Sequence, residues 1–591
     1  MTTDIRPDND MPADNPLTSD ASPAAEIKNI VFTYTAQSDA AAINDVSFQV
    51  RKGECLLLTG ISGCGKTSIV RTINGLIPNY YEGVLTGTVE IWGEPAAGKP
   101  IYDISKKVST VFQNPKSQFF NLDTTSEILF FLENTGTPFE KMHERLRFVS
   151  QFLHIEHLLD RNIFNLSGGE KQMVAIASAL ASDTDIIVFD EPTSNLDIGY
   201  IEKITEALHL LKKAGKTLII SEHRLHFLRE LVDRVLLIKD GKIEREFSQK
   251  EFTALSEQSR KELLLRPITM DSRVFEKPDA SGSASMQTFG FNHTPEPAKS
   301  ESGTDFAHKT AADTQTAQLT IERLTYRFPK GRSDFLSVQN VTMDFGKVIA
   351  LTGKNGQGKS TFAQCLTGLL KTKKDSVFLN GKKTNAKKRL ELSYMVLQDV
   401  GYQLFTESVE DEIALGKNKK ISAEQKAQRA DTAGGTPTAE AVLKAMHLTE
   451  LKDKHPLSLS GGQKQRVSIG AAVSSGARII IMDEPTSGMD YFHMKETAAL
   501  INAYRASDRL ILIISHDFEF LTLVADELLL MEKGTIASQS AFTAAQAEKV
   551  FEQLRVDEGR GYRGDGCLFL RARQSERPCG LGQFNPKQNN L

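Results

Sequence analysis

Two short runs in this 591-residue chain have the residue types needed to cradle phosphate, Gly60-Ile-Ser-Gly-Cys-Gly-Lys-Thr67 and Gly353-Lys-Asn-Gly-Gln-Gly-Lys-Ser360. Gly60, Gly63 and Gly65 in the first, and Gly353, Gly356 and Gly358 in the second, carry no β-carbon, so backbone N–H groups can turn toward phosphate oxygens. Lys66 or Lys359 adds a positive charge, and the start of a following helix adds its dipole. Ser62, Ser68, Asn355 and Thr361 belong to the same cradles, while Thr67 and Ser360 are placed to ligate Mg²⁺. Two carboxylate pairs, Asp190/Glu191 and Asp483/Glu484, end the apolar runs Ile186–Phe189 and Ile479–Met482. There the aspartate suits a metal ion and the glutamate suits accepting a proton.

The elements that must position these groups recur as well. Each glycine loop follows a strand-like run, Cys55–Thr59 or Val348–Thr352, and precedes a helical pattern, the context the motif requires. Lys66 and Lys359, Ser167 and Ser460, Asp190 and Asp483, and His223 and His516 are each separated by 293 residues, which indicates a duplication. The register breaks between lysine and glutamine, 47 residues in the first half (Gln113) and 39 in the second (Gln398), and is restored before Ser460. The stretch Gly416 to Glu440 is expected to hold the compensating surface insertion. Short Val/Ile/Leu runs alternate with helical patterns in both halves, so each is expected to be an α/β core with a mostly parallel sheet. The segment before each Ser-Gly-Gly reads as helical, with Leu146, Phe148, Val149, Phe152 and Leu153 near one face.

Bulk properties narrow the class. The length exceeds what a single core supports. A formal net charge of −4 gives no electrostatic footprint for a polyanion, and nucleic acid is not an expected partner. The longest apolar runs are strand-sized, well below the roughly 18 residues of a membrane-spanning helix. The polar, acidic N-terminus lacks the order of a secretory signal, so a cytosolic product is expected. Five scattered cysteines, without a CxxC pair, indicate neither disulfides nor a metal cluster. Cys64 lies beside Lys66 and a helix start, both of which favour a thiolate, so selective alkylation is expected there.

Leu166-Ser-Gly-Gly-Glu170 and Leu459-Ser-Gly-Gly-Gln463 read first as capping boxes, each starting a helix. They also resemble the signature of ABC-type ATPases, and with the other motifs they identify the chain as a member of that family. The resemblance covers about residues 26–245 and 318–540 and implies two tandem nucleotide-binding domains. Each is an α/β core carrying the glycine loop, with an antiparallel β subdomain and a helical subdomain. The expected layout is a disordered tail at 1–24, a first domain at 25–250 and a polar linker at 251–317. A second domain at 318–545 and a tail of unknown role at 546–591 complete it.

Residue by residue, the resemblance implies ATP and Mg²⁺ as cofactors. Ser167, Gly168 and Gly169, and Ser460, Gly461 and Gly462, would face the γ-phosphate held by the opposite half. Gln113 and Gln398 resemble the family's Mg²⁺-sensing glutamine, so the metal sets are Thr67, Gln113 and Asp190, and Ser360, Gln398 and Asp483. His223 and His516 match its γ-phosphate histidine and Glu191 and Glu484 its catalytic base. Asp197 and Asp490, in Ser194-Asn-Leu-Asp197 and Ser487-Gly-Met-Asp490, look like the loop touching the other half's site. Tyr34 and Phe328 resemble the aromatic that stacks on adenine.

After the glutamines come Ser117-Gln-Phe-Phe120 and Tyr402-Gln-Leu-Phe405. With Asn74-Gly-Leu-Ile-Pro-Asn-Tyr-Tyr-Glu82, they look like the duplicated ATPase of energy-coupling factor importers, which take up vitamins or transition-metal ions. That resemblance implies a membrane scaffold subunit, a substrate-binding membrane subunit and a place on the inner face of a prokaryotic cell membrane. Phe119-Phe120 and Leu404-Phe405 would line a groove for the scaffold's coupling helices, or form plain core. The competing readings are a soluble tandem ABC protein acting on ribosomes or DNA, and the tandem ATPase of a sugar importer.

Overall fold

A computed structural model describes residues 23–35, 41–194, 196–270, 272–275, 317–329, 333–372, 375–415 and 438–556. The expected tail over 1–22, the inserted stretch over 416–437, the tether over 276–316 and residues 557–591 lie outside the described residues. Ala24, assigned from sequence to the tail, is fully buried where the first strand begins.

Each half is built on a six-stranded sheet. In the first half the order is Lys242–Ser248, Arg234–Lys239, Cys55–Thr59, Thr217–Ser221, Ile186–Asp190 and Val108–Val111. The second half repeats it as Thr535–Ala541, Glu527–Glu532, Val348–Thr352, Leu510–Ile514, Ile479–Asp483 and Ser393–Val396. All neighbours are parallel except the first pair of each sheet. The central strands are buried on both faces, which is why they read as continuous apolar runs. The glycine loop, the acid pair and the histidine leave the carboxyl ends of three neighbouring strands and therefore converge on one edge of the sheet.

A four-stranded antiparallel sheet (Ala25–Tyr34, Ile43–Val50, Gly83–Ile91 and Glu94–Pro95) flanks the first core. Gln318–Tyr326, Leu336–Asp344, Asp375–Leu379 and Lys382–Thr384 repeat it in the second half. Helices Thr124–Asn134, Phe139–Phe152 and Gly168–Ala181 pack together in the first half, and Val409–Leu415, Ala439–Ala445 and Gly461–Ser474 in the second. In the helix Phe139–Phe152, Leu146 and Val149 are buried, whereas Phe148 is 45% exposed and leaves the expected face.

The segment expected to begin a polar linker at 251 is instead folded. It carries helices Gln249–Thr253 and Glu257–Glu262, the former opened by a capping box between Ser248 and Glu251. Leu265 and Ile268 enter the core of the first half, and Phe275 enters that of the second against Phe518 and Phe551. The tail expected from 546 likewise begins inside a helix, Ala544–Val556, whose Ala547, Val550, Phe551 and Leu554 are buried.

Candidate functional site

The two glycine loops take backbone shapes that only glycine suits. Gly60 and Gly353 have φ of 144° and 145°, and a β-carbon on them would sit 2.1 Å from the Ile238 carbonyl oxygen and 2.2 Å from that of Met531. Gly65 and Gly358 have φ of 106° and 101° at the start of helices Lys66–Ile73 and Lys359–Thr367. Gly63 and Gly356 lie in open space at φ 82° and 77°. Lys66 Nζ donates to the carbonyls of Gly60 (3.0 Å) and Ile61 (2.9 Å), and Lys359 Nζ to those of Gly353 (2.6 Å) and Lys354 (2.9 Å). Both ammonium groups are thereby held inside the curve of their own loop.

Beside each loop stands its acid pair. Thr67 Oγ1 donates to Asp190 Oδ1 at 3.3 Å, and Ser360 lies close enough to Asp483 to favour its charged form. Hydroxyl and carboxylate oxygens are the hard donors Mg²⁺ takes, with phosphate and water oxygens free to complete its shell, so the residues present fit that ion. Burial and the neighbouring Glu191 push Asp190 up to about 6. Burial also raises Asp483. Glu191 and Glu484 share an unusual backbone, φ 46° and 49°, a left-handed conformation that non-glycine residues rarely adopt. Each is pinned there by its N–H, which donates to the Ser221 carbonyl at 2.8 Å or that of Ile514 at 2.9 Å. Such strain persists only where the surroundings over-determine it.

The histidines face these glutamates. His223 Nε2 lies 3.4 Å from Glu191 Oε1, and His516 Nε2 lies 3.7 Å from Glu484 Oε1 and 3.2 Å from Asn355 Oδ1. Burial, then the charge of the loop lysine, drives both imidazoles below their usual value and toward the neutral form. Burial pushes Glu484 up to about 7 despite Lys359. Both glutamines are exposed, and Gln113 Nε2 donates to Glu191 Oε2 at 2.7 Å.

Ser167 and Ser460 cap the helices Gly168–Ala181 and Gly461–Ser474, each in a capping box with Glu170 or Gln463. Gly168, Ser460 and Gly461 are exposed at these helix starts, Gly462 is half-buried, and Gly169 is covered by the Tyr200 ring. Tyr34 packs edge-on against Phe32, its hydroxyl 2.9 Å from Ser68 Oγ. Phe328 is 45% exposed and touches Tyr326 and Phe335. Thr361 follows Ser360 in the first turn of its helix.

The halves meet through the loops. Ser62 N–H donates to Asp490 Oδ2 at 2.5 Å, and Asn355 N–H donates to Asp197 Oδ2 at 2.8 Å. Each half thus puts an aspartate onto the other's glycine loop. A β-carbon on Gly488 would lie 3.4 Å from Gln113 Nε2 and 3.7 Å from Glu191 Oε2, so the second half also borders the first half's acid pair.

One expectation fails here. Cys64 is only 4% exposed, and burial raises its thiol even though Lys66 works in the opposite direction, so it is a poor target for alkylation. Sequence reasoning also missed Glu222. This buried carboxyl accepts from Thr193 Oγ1, and burial and Glu191 push it up to about 8. Its position directly before His223 was the available signal, since the second half has Ser515 at that place.

The description "ABC transporter" belongs to the family whose profile matches residues 43–194 and 336–487, once in each half. A Treponema denticola protein provisionally named an ABC transporter ATP-binding protein is 38% identical over 513 residues, covering 87% of this chain and 96% of the relative. A Bacillus subtilis protein provisionally named an HMP/thiamine import ATP-binding protein is 29% identical, covering 86% of this chain and 90% of its own length. Among solved structures, an archaeal ribosome recycling factor, aABCE1, in complex with the ribosomal stalk protein aP1, shares the fold. Its TM-score is 0.54 at 20% identity, over 89% of this chain and 92% of that one.

Proposed function

We propose, since the chain belongs to the ABC transporter family, that its two halves form the paired ATP-hydrolysing engine of a membrane importer. In this reading the importer is of the energy-coupling factor class and takes up a vitamin or a transition-metal ion. The observation that carries a paired engine is the reciprocal contact of Asp490 with the first glycine loop and Asp197 with the second. Import is supported by the name of the Bacillus subtilis relative. A docking face for a membrane scaffold is supported by Phe120 and Phe405, 75% and 76% exposed just after the two glutamines, since apolar surface of this kind is typically kept for partners. Their neighbours Phe119 and Leu404 pack into the cores instead.

Mg-ATP, when bound, supplies the phosphoanhydride bond that water cleaves. Lys66 and Lys359 with their loop N–H groups hold its phosphates, and Thr67/Asp190 and Ser360/Asp483 hold the ion. Gln113 and Gln398 sense that ion. Glu191 and Glu484 accept the proton of the attacking water, while His223 and His516, neutral, orient the terminal phosphate. Tyr34 and Phe328 stack on adenine. Ser167 with Gly168 and Gly169, and Ser460 with Gly461 and Gly462, complete each other's site at helix N-termini suited to anions. Closure follows because nucleotide binds better between apposed halves than to one half. None of the described helices is long and apolar enough to cross a membrane. Attachment to the inner face of the cell membrane runs, in this reading, through an integral scaffold subunit and a substrate-binding membrane subunit.

Copurification from detergent-solubilised membranes tests the proposal. The chain is expected to bring down a small polytopic protein, and Phe120→Asp with Phe405→Asp is expected to release it while ATP binding persists. Ribosomes or DNA in the eluate would overturn it.

A further inference from the structure

The turns that carry Asp197 and Asp490 are held in place by different means in the two halves. In the first half the carbonyl of Leu196, one residue before Asp197, accepts from Arg224 Nη1 at 3.4 Å, and Arg224 directly follows His223. In the second half the residue directly after His516 is Asp517, an acid where the first half has a base. The corresponding carbonyl, that of Met489, is nevertheless capped by an arginine. Arg266, from the segment joining the halves, donates to it through Nη2 at 2.7 Å and Nε at 3.2 Å. Its remaining Nη1 pairs with Asp517 Oδ2 at 2.7 Å and with Glu519 at 3.5 Å. Arg266 and Asp517 are 4% and 5% exposed, at the wall of a cavity of about 1290 Å³ between the halves.

We infer that Arg266 is a positioning residue. It supplies from the connecting segment the cation that the second half lacks, and it holds the Ser487–Asp490 turn against the first glycine loop. The chain of contacts is short. Arg266 fixes the Met489 carbonyl, Met489 precedes Asp490, and Asp490 accepts from Ser62 N–H at 2.5 Å. Asp490 is steadied further by His493, whose N–H and Nδ1 lie 2.8 Å and 2.7 Å from its two carboxylate oxygens. The guanidinium suits this place because its fork reaches a carbonyl and a carboxylate at once, which a lysine cannot do. Without it, Asp517 would be a buried carboxylate lacking its direct ion-pair partner, left with Thr486 Oγ1 (3.0 Å), the Phe520 N–H (3.3 Å) and the more distant charge of Arg224.

The consequence is an asymmetry between the sites. The first site depends on a residue of the connecting segment, whereas the second is bordered by a turn that the first half holds with its own Arg224. Movement of residues 251–270 would therefore reach the first site in particular.

This inference rests on the paired-site reading above, and nucleotide trapping separates the two. The chain carrying Glu191→Gln and Glu484→Gln is loaded with Mg-ATP and passed through a desalting column. It is expected to keep both nucleotides. Adding Arg266→Met should speed release from the first site about tenfold, the scale of a lost charged hydrogen bond, and leave the second nucleotide in place. Lys359→Ala on top should then remove the nucleotide that remains. Arg266→Met combined with Asp517→Arg recreates the first half's arrangement and is expected to restore retention at the first site, which a general folding defect would not allow. If the starting chain traps no nucleotide, the paired-site reading itself fails. If it traps both and Arg266→Met still holds both, or loses both in parallel without rescue by Asp517→Arg, only the assignment to Arg266 is overturned.

Discussion

Glu191 and Glu484 combine a left-handed backbone with a neighbouring imidazole and a buried carboxylate one residue earlier. Glutamine at either place preserves size and hydrogen bonding but cannot take a proton, so Glu191→Gln and Glu484→Gln are each expected to cut steady-state ATP hydrolysis at least about a hundredfold. Near-normal turnover in either variant would remove that glutamate from the role of base. Glu222 has a different effect. Its value rises from 4.5 to about 8 in the folded chain through burial and the Glu191 charge. The folded state therefore holds a proton that the unfolded state releases, and stability falls as pH climbs from 4.5 through about 8. Glu519 and Glu484, raised to about 8 and about 7, add to the same slope, so Glu222→Gln should make it shallower rather than remove it, leaving the variant on the order of 1–3 kcal/mol more stable than the parent at the alkaline end. Urea midpoints below and above this window measure it, and identical pH profiles would show that Glu222 is ionised in both states.

At the scale of elements, the two Ser-Gly-Gly helices share a cap but not a neighbour. A β-carbon on Gly169 would sit 2.1 Å from the Tyr200 ring, whereas one on Gly462 meets only the Gly488 carbonyl oxygen at 3.7 Å. Tyr200 lies over the first helix start with its hydroxyl 3.3 Å from Ser167 Oγ, while His493, at the corresponding place, turns to Asp490. Gly169→Ala is accordingly expected to destabilise the chain by about 1–3 kcal/mol through overpacking. Gly462→Ala should change stability by no more than about 0.5 kcal/mol. Thermal unfolding of the two single variants compares them directly, and equal losses would mean that the Tyr200 ring moves aside at little cost.

Across the whole molecule, the first and second halves are joined by more than their loops. Phe275 lies in the second core, Leu265 and Ile268 lie in the first, and Arg555 of the last helix pairs with Glu202 of the first half. Cysteines replacing Ser62 and Ser460 are expected to cross-link when nucleotide is trapped, because closure brings the second half's helix start onto the first glycine loop. The described native thiols, Cys55, Cys64 and Cys365, are buried, and Cys567 and Cys579, outside the described residues, are replaced by serine for this test. Absence of the cross-link under trapping would refute shared sites. Peptide mapping of the product distinguishes a bond within one chain from one between chains.

Much of the site was legible in the residue order because its chemistry is local. A glycine loop needs its glycines, lysine and hydroxyl in one short run, an acid pair must end a buried strand, and a capping box spans four residues. The duplication added a second copy of each at constant spacing. The beginning of the linker was misjudged because polar Glu, Lys and Ser dominate its composition, although the capping box at Ser248 and Glu251 was a readable sign of helix. What no local pattern contained was the partnership between distant residues: Asp490 with Ser62, Tyr200 over Gly169, and above all Arg266 with Met489 and Asp517. Sequence by itself determined which groups can bind phosphate and move protons, since those capacities belong to residue types at short spacing. Only the tertiary structure decided which half steadies which site, because a buried arginine is committed by whichever carbonyl and carboxylate the fold brings within reach.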